Sequence, residues 1–437
     1  MNNALMSAAE RAVEYTLPLF EMARMRAATL PRRLDSGEFA AAEPASTVRW
    51  LGGFRHTREL LTPRNREVVS PNNDTLYDNA WLDLSDGPLL IDVPDMGERY
   101  WTLGFLDMWT NPFAYAGRRT TGNRAQRLFV HGPAWQGAVP EGSVAIACPG
   151  DDVWIIGRML AGPDAADMAA ARALQDGYAI VRADDPATPA WRRFDTGMDG
   201  RDTHTPRADT YRKVVREVLA RNPAPASQAP MMDLIGQFAL VGDTGDTAAA
   251  HDAEAALAQA LDVVYASLRK EVDHADIGGG WTLPVAVRDN YGTDYANRAR
   301  VARNLIGALG MDEAMYPVCE VDAGGEPLDG RERYALRFAP GAGPQVDAFW
   351  SLTAYRHSDC LLIDNPLGRY SIGDRTPGLR READGSLVIR LQCDDPGPGA
   401  NWLPTPPDDD FYLTLRLYQP RQAHLAMQFA YPAIARL

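Results

Sequence analysis

The feature that most constrains this chain is a double change of hydrophobic period. From residue 48 to about 158 the sequence runs in short alternating segments cut by Gly and Pro, at 89–93, 100–105, 127–130, 144–147 and 153–158. Regularly spaced short strands of this kind predict a β-sandwich or jelly roll. From 164 to about 276 the period turns helical, with stretches over 168–179, 207–221 and 252–272 and cap candidates at Asp164 and Asp167. A further helix is predicted over 295–309, stopped by Gly310, and strands then resume at 332–338, 348–355, 387–392 and 412–418. The expected fold is mainly β with helices, an α+β chain of two jelly-roll-like sandwiches and a helical layer.

At 437 residues the chain exceeds the size at which one core keeps growing, so more than one domain is expected. The period changes set the borders: an N-terminal helical segment over 1–44, a first sandwich over 45–163, a mostly helical region over 164–280 and a second sandwich over 281–437. The N-terminal segment carries Met6, Ala9, Val13, Leu17, Phe20 and Ala23 on one helical stripe. Pro18 interrupts it and is expected to kink or divide the helix.

Charge narrows the partners. Forty-four Lys and Arg against 58 Asp and Glu give a net charge of -14, which argues against nucleic acid or an anionic membrane as principal partner. Charged residues interrupt the apolar positions of 1–30, and no apolar run reaches membrane-spanning length, so a cytoplasmic location is expected. Cys148, Cys319, Cys360 and Cys393 lie far apart and read as free thiols. No two histidines lie within five residues, and no HExxH, P-loop, GxSxG or GxGxxG occurs. No cofactor or locally encoded metal site is therefore expected.

What remains is a set of carboxylates, phenols, indoles and arginines. The run from Ser70 to Tyr77 packs turn formers, two amides, a carboxylate and a phenol into eight residues. Such a turn aims side chains at one point, or it satisfies itself as a polar corner. The catalytic candidates are Asp74, Asp107, Tyr77 and Arg118, with one carboxylate held ionised by Arg118 and the more buried one keeping its proton. The ligand-binding candidates are Asn72, Trp109, Arg158, Trp350, Tyr355, Asn401, Trp402 and Arg416. The bland alternative places the tryptophans in cores and pairs the arginines internally. In 412–418, Leu413, Leu415 and Leu417 share a core face, while Tyr412, Thr414, Arg416 and Tyr418 form a face too polar and aromatic for plain solvent exposure.

Several of these motifs resemble a known pattern. The run 71–77, followed by Val93-Pro94-Asp95, Arg99-Tyr100, 107–111 and 117–122, resembles the bacterial domain of unknown function 1254. Tyr291-Gly292, Arg298-Ala299, Asp329-Gly330, 349–353, 384–387, 401–404 and 416–418 resemble its companion, domain of unknown function 1214. The resemblance implies a pair of jelly-roll-like domains with helices, assembling into a homo-oligomer, and it implies no reaction. Two functions stay open. One is an enzyme using acid/base side chains, a hydrolase, lyase or isomerase acting on a small polar or glycan-like substrate, including a biosynthetic tailoring role. The other is a non-catalytic carbohydrate-binding or scaffold protein.

Overall fold

A computed structural model describes residues 3–32, 47–66, 68–242, 245, 247–268, 274–284 and 287–437. The segment 33–46, which closes the expected N-terminal unit, lies outside the described residues. In the first β unit a five-stranded sheet is built on the long pair Thr75–Asp83 and Asp152–Leu160, flanked by Trp101–Leu106 and Pro112–Gly117. A four-stranded sheet faces it, built on Leu89–Val93 and Gln126–His131. Alternation along these strands sends Leu76, Ala80, Leu103, Ile91, Leu128 and Ile155 into one core between the sheets.

The second unit has the same plan. Val346–Arg356 and Phe411–Pro420 form the centre of a seven-stranded sheet. Tyr334–Phe338 and Leu387–Gln392 form the centre of a four-stranded one. Leu352, Leu413, Leu415, Leu417, Leu336 and Ile389 fill the core between them, so the leucine face of 412–418 is the buried face expected from its alternation.

The central strands of the two units repeat one topology, although the large sheets have five and seven strands. Trp101–Leu106 lies between Asp152–Leu160 and Pro112–Gly117, as Val346–Arg356 lies between Phe411–Pro420 and Ser371–Gly373. Each small sheet carries one parallel pair, Gln126–His131 with Ser143–Ala147 and Leu387–Gln392 with Asn401–Pro404. Each also takes an edge strand from beyond its last long strand, Ala179–Arg182 or Ile434–Arg436. The equivalence extends to residues: Thr102 pairs with Arg158 and Gly117, and Ser351 pairs with Arg416 and Gly373. Short stretches match accordingly, Tyr100-Trp101-Thr102-Leu103 with Phe349-Trp350-Ser351-Leu352, and Asp74-Thr75-Leu76-Tyr77 with Glu313-Ala314-Met315-Tyr316.

The large sheets face each other. Tyr100, Phe349 and Tyr418 meet between them, with Phe349 and Tyr418 stacked at 4.0 Å. The rest of the first large sheet's outer face, including Trp81 and Trp154, packs on the helices. Asn3–Thr29 is the centre of that layer, buried on most sides by Ala208–Arg221, Ala229–Gly236, Ala248–Ser267 and Tyr295–Asn304. It runs as one helix through Pro18 and is not divided, because packing on all sides outweighs one lost backbone bond. Its buried Glu21 accepts from Tyr265 Oη at 2.8 Å and from Arg24 Nε at 2.9 Å.

The helical region is shorter than the period change suggests. Ala165–Asp176, capped by Asp164 as expected, leads directly into Ala179–Arg182, so the first β unit continues past residue 163. That strand is too short to carry a readable period. At the other border His274–Gly278 and Trp281–Pro284 form a hairpin whose turn needs positive φ at Gly278, Gly279 and Gly280, which only glycine adopts without strain.

Candidate active site in the cleft between the two sandwiches

The Ser70–Tyr77 turn is the main contact of the first unit with the polar face of the second. Asn72 Oδ1 accepts from Asp74 N at 2.7 Å, closing the turn on itself, while Asn72 Nδ2 donates to Tyr418 Oη at 2.8 Å. Tyr355 Oη donates to Pro71 O at 2.7 Å, and Arg416 Nη2 donates to Ser70 O at 3.0 Å. The aromatic and polar face of 412–418 is thus an internal interface.

At one end of this interface a cavity of about 450 Å³ opens, lined among others by Asp74, Trp350, Ser351, Arg369, Tyr370 and Arg375. This is the size of a small-molecule site. Asp74 is 3% exposed at its inner wall. Its Oδ2 accepts from Ser351 Oγ at 2.5 Å, and Arg375 lies 3.7 Å from Oδ1 while stacking over Phe349 at 4.3 Å. Asp374, next to Arg375 in the chain but outside the cavity lining, accepts at Oδ1 from Trp350 N at 3.3 Å. The residue is exposed, but crowding strips water from its carboxyl and pushes it up to about 6. The Trp350 N–H and Arg375 act against that shift, and the charge of Asp74 adds to it.

A second cavity, about 400 Å³, lies outside the first unit around Asp86, Arg182 and Arg192. There Arg182 pairs with Asp184, and Arg192 with Asp83 and Asp86, so charges already meet. The interdomain cleft is the better site because both units contribute to its wall and its buried carboxylate, Asp74, meets only one arginine among the described residues, at 3.7 Å.

The sequence candidates fall into three groups. Asn72, Asp74, Tyr77, Arg158, Tyr355 and Arg416 lie on the facing surfaces of the two units, and of these Asp74 lines the cleft; Trp350 also borders the cleft but packs in the second unit's core, 5.9 Å from Phe338. Arg118 sits at another edge of the interface, donating to Asp347 O at 2.5 Å and Gln419 Oε1 at 3.3 Å, and meets neither expected carboxylate. Asp107 and Trp109 are elsewhere. Asp74 O accepts from Ala161 N while Leu106 pairs with Trp154, so the two carboxylates are separated by about seven residues of strand, roughly 23 Å at ~3.3 Å per residue.

Asp107 is a self-satisfied corner. It accepts from Trp109 N and Asn111 N, each at 2.9 Å, and from Asn111 Nδ2 at 2.8 Å. Burial pushes its carboxyl up in spite of those bonds and the charge of Arg298. Trp109 packs against Tyr15 at 5.1 Å and under Arg298 at 4.8 Å, within the helical layer. Asn401 and Trp402 belong to the small sheet of the second unit. Asn401 clamps Arg380 and Val388, and Trp402 Nε1 donates to Gln392 O at 2.8 Å. The Asp74–Asp107 pair therefore does not form, because strand direction places its members at opposite ends of one sheet.

The description "Protein of unknown function (DUF1254)" matches residues 51–182, and "Protein of unknown function (DUF1214)" matches residues 313–422. The chain belongs to the DUF1254–DUF1214 family. The two matches fall on the two β units, and the Asp74 wall of the cleft comes from DUF1254 while Ser351 and Arg375 come from DUF1214. The crystal structure of the VPA0106 protein from Vibrio parahaemolyticus aligns at 22% identity over 99% of this chain and 100% of its own, with a TM-score of 0.72, so it shares the fold. The crystal structure of a putative uncharacterized protein from Burkholderia cenocepacia aligns at 14% identity over 99% of this chain and 94% of its own, with a TM-score of 0.42. No curated protein matches the chain.

Ser351, Asp374 and Arg375 were not among the sequence candidates. One signal was available: Gly373-Asp374-Arg375-Thr376 repeats the pattern of Gly117-Arg118-Arg119-Thr120, whose first arginine was singled out.

Proposed function

We propose that the interdomain cleft of this DUF1254–DUF1214 protein binds a small polar or glycan-like molecule and acts on it by acid/base chemistry, as a hydrolase, lyase or isomerase. One observation carries the reading: the buried carboxylate of Asp74 lines the cleft together with Arg375, and a second carboxylate, Asp374, adjoins Arg375 outside the lining. Asp374, next to Arg375 and pushed up to about 6, serves as the acid. Asp74 receives the Ser351 hydroxyl and lies beside Arg375, and serves as base or electrostatic stabiliser. Arg369 and Tyr370 supply further polar contacts along the wall.

The carbohydrate-binding alternative gains less support. Trp350 and Trp402 are 6% and 8% exposed, so neither offers the open ring face on which a sugar stacks. The passage of strands back and forth between facing sheets supports a jelly-roll-like reading of both units, and the acidic charge supports a small-molecule partner in a cytoplasmic setting. Assembly into a homo-oligomer belongs to the same reading and is checked by light scattering.

The test is a panel of oligosaccharides and polyhydroxy compounds offered to the wild-type chain, Asp74→Asn and Asp374→Asn. Each variant keeps side-chain shape and is expected to lower kcat/KM by a factor of about 10²–10⁴ with its melting temperature nearly unchanged. Saturable binding without turnover in the wild type would move the protein to the binding class.

A further inference from the structure

Two buried arginines occupy equivalent places on the facing sheets and differ in what they touch. Arg416, opposite Ser351, donates through Nη1 to Thr353 Oγ1 at 2.9 Å and through Nη2 to Ser70 O at 3.0 Å and Tyr355 Oη at 2.5 Å. The 70–71 turn and the neighbouring hydroxyls absorb most of its donors. The Nε of Arg416 is buried without a partner, as is that of Arg158, but Arg158, opposite Thr102 and 7% exposed, donates only through Nη1, to Tyr316 Oη, and leaves Nη2 unused as well. Among the described residues no carboxylate lies within the 4.0 Å of an ion pair with it.

The carboxylates nearest in the interface are already engaged. Glu313 accepts from Tyr100 Oη at 2.8 Å and Arg119 Nε at 2.9 Å, and Asp74 accepts from Ser351. Arg158 lies over the faces of Tyr77 and Tyr316, each ring centre 5.9 Å from its guanidinium carbon. Its Nε is buried without a partner, and so is the hydroxyl of Thr102 beside it in register. The unused edge of the guanidinium, Nε–H with Nη2–H, presents two parallel donors, a fork that matches the two oxygens of a carboxylate. A buried cation with no counter-charge is costly, and nearly every other buried polar group in a folded protein finds a partner.

We infer that Arg158, with Thr102 and Tyr77 beside it, forms an anion site inside the interface that takes the carboxylate of a small organic acid. The unpaired groups of Arg158 are donors, and the equivalent arginine in the second unit is engaged by the 70–71 turn. The site is separate from the cleft chemistry, since Asp74 takes no part in it.

The experiment uses the full chain with acetate as probe. Thermal unfolding is followed in sodium acetate and in sodium chloride at equal ionic strength, together with the line width of ¹³C-labelled acetate. Acetate is expected to raise the midpoint above the chloride value and to broaden the carboxyl signal, and both effects should vanish in Arg158→Gln. Thr102→Val keeps the side-chain shape, covers the case in which Arg158→Gln does not fold, and is expected to weaken acetate binding by about tenfold through one lost hydrogen bond. Asp74→Asn is expected to keep the acetate response, so failure of the cleft reading leaves this one standing. Equal midpoints in the two salts with an unbroadened signal overturn the inference, and so does an undiminished response in Arg158→Gln or in Thr102→Val.

Discussion

The two β units share the topology of their central strands and one set of key positions, yet they present different chemistry. In the first, Asp74 crosses the interface to Ser351 and Arg375; in the second, the equivalent Glu313 crosses it the other way to Arg119. Each carboxylate thus meets an arginine from the other unit's Gly-x-Arg-Thr turn, a reciprocal exchange. The outcomes diverge because of small substitutions. Tyr100 supplies a hydroxyl that fills Glu313, whereas the equivalent Phe349 has none, and Tyr115 ties the 289–310 segment over that side through Asp289 and Gly310. The Glu313 half is closed and the Asp74 half opens as the cleft. A duplicated interface needs only one copy to hold the units together, and the other is free to acquire a site.

The comparison is sharpest at the two arginines. Arg119→Leu would leave Glu313, 1% exposed, without its cation and is expected to cost roughly 3 kcal/mol. Arg375→Leu, at the open half and about one-third exposed, is expected to cost below about 1 kcal/mol. Urea unfolding of both variants measures the difference, and equal losses would remove the distinction between closed and open halves.

A second difference is His424, fully buried in the second unit and without a counterpart in the first. Its Nε2 accepts from Gln345 N at 3.0 Å, so Nδ1–H faces Tyr431 Oη at 2.8 Å, and burial pushes the imidazole down from 6.5 to about 4. A neutral buried histidine stabilises fully above pH 6.5, where neither state is protonated. As pH falls the unfolded chain takes the proton first, so stability drops from 6.5 down to about 4, by about 3 kcal/mol in all. His424→Gln is expected to flatten the acid limb of a stability–pH curve, and an unchanged limb would contradict it.

The glycines at the sheet edges test the equivalence itself. A Cβ at Gly117 would come 2.7 Å from Trp101 O, and one at Gly373 would come 2.1 Å from Trp350 O, both backbone atoms that cannot turn aside. Gly117→Ala and Gly373→Ala are each expected to destabilise by about 2 kcal/mol, seen as matched shifts in unfolding midpoint. Tolerance at one position alone would break the correspondence.

The smallest effect belongs to Asp374, which takes the place of Arg118. Its carboxyl is raised from 3.8 to about 6, so the folded chain binds this proton more tightly and the contribution is favourable below 3.8 and lost as pH rises through 6. Asp374→Asn is therefore expected to be slightly more stable than wild type at pH 7–8 and equal to it below pH 4, by melting at the two pH values.

Much of this arrangement could be read from the chain. The period changes at either side of the helices marked two β regions, and the odd face of 412–418 was legible because Tyr, Thr, Arg and Tyr at alternate positions are ill suited to either a core or open water. The Asn72–Asp74 turn was also legible, since its local hydrogen bonds depend on residues two apart. The Asp74–Asp107 pairing failed for a reason of reach. Both motifs are dense in functional groups, but strand direction puts them at opposite ends of the same sheet, and no local pattern encodes that distance. Asp374, Arg375 and Ser351 were passed over because each is unremarkable among its neighbours and acquires meaning only when the other unit brings Asp74 against it.

The sequence by itself determined which segments become strands and helices, which strand faces are apolar, and the family to which the chain belongs, because these depend on side-chain period and on motifs a few residues long. The tertiary structure alone decided which carboxylates meet which arginines, which half of the duplicated interface stays open, and how many donors of each buried arginine are used. Those outcomes depend on register and on packing between segments hundreds of residues apart, where a single hydroxyl, Tyr100 against Phe349, changes whether a pocket is filled.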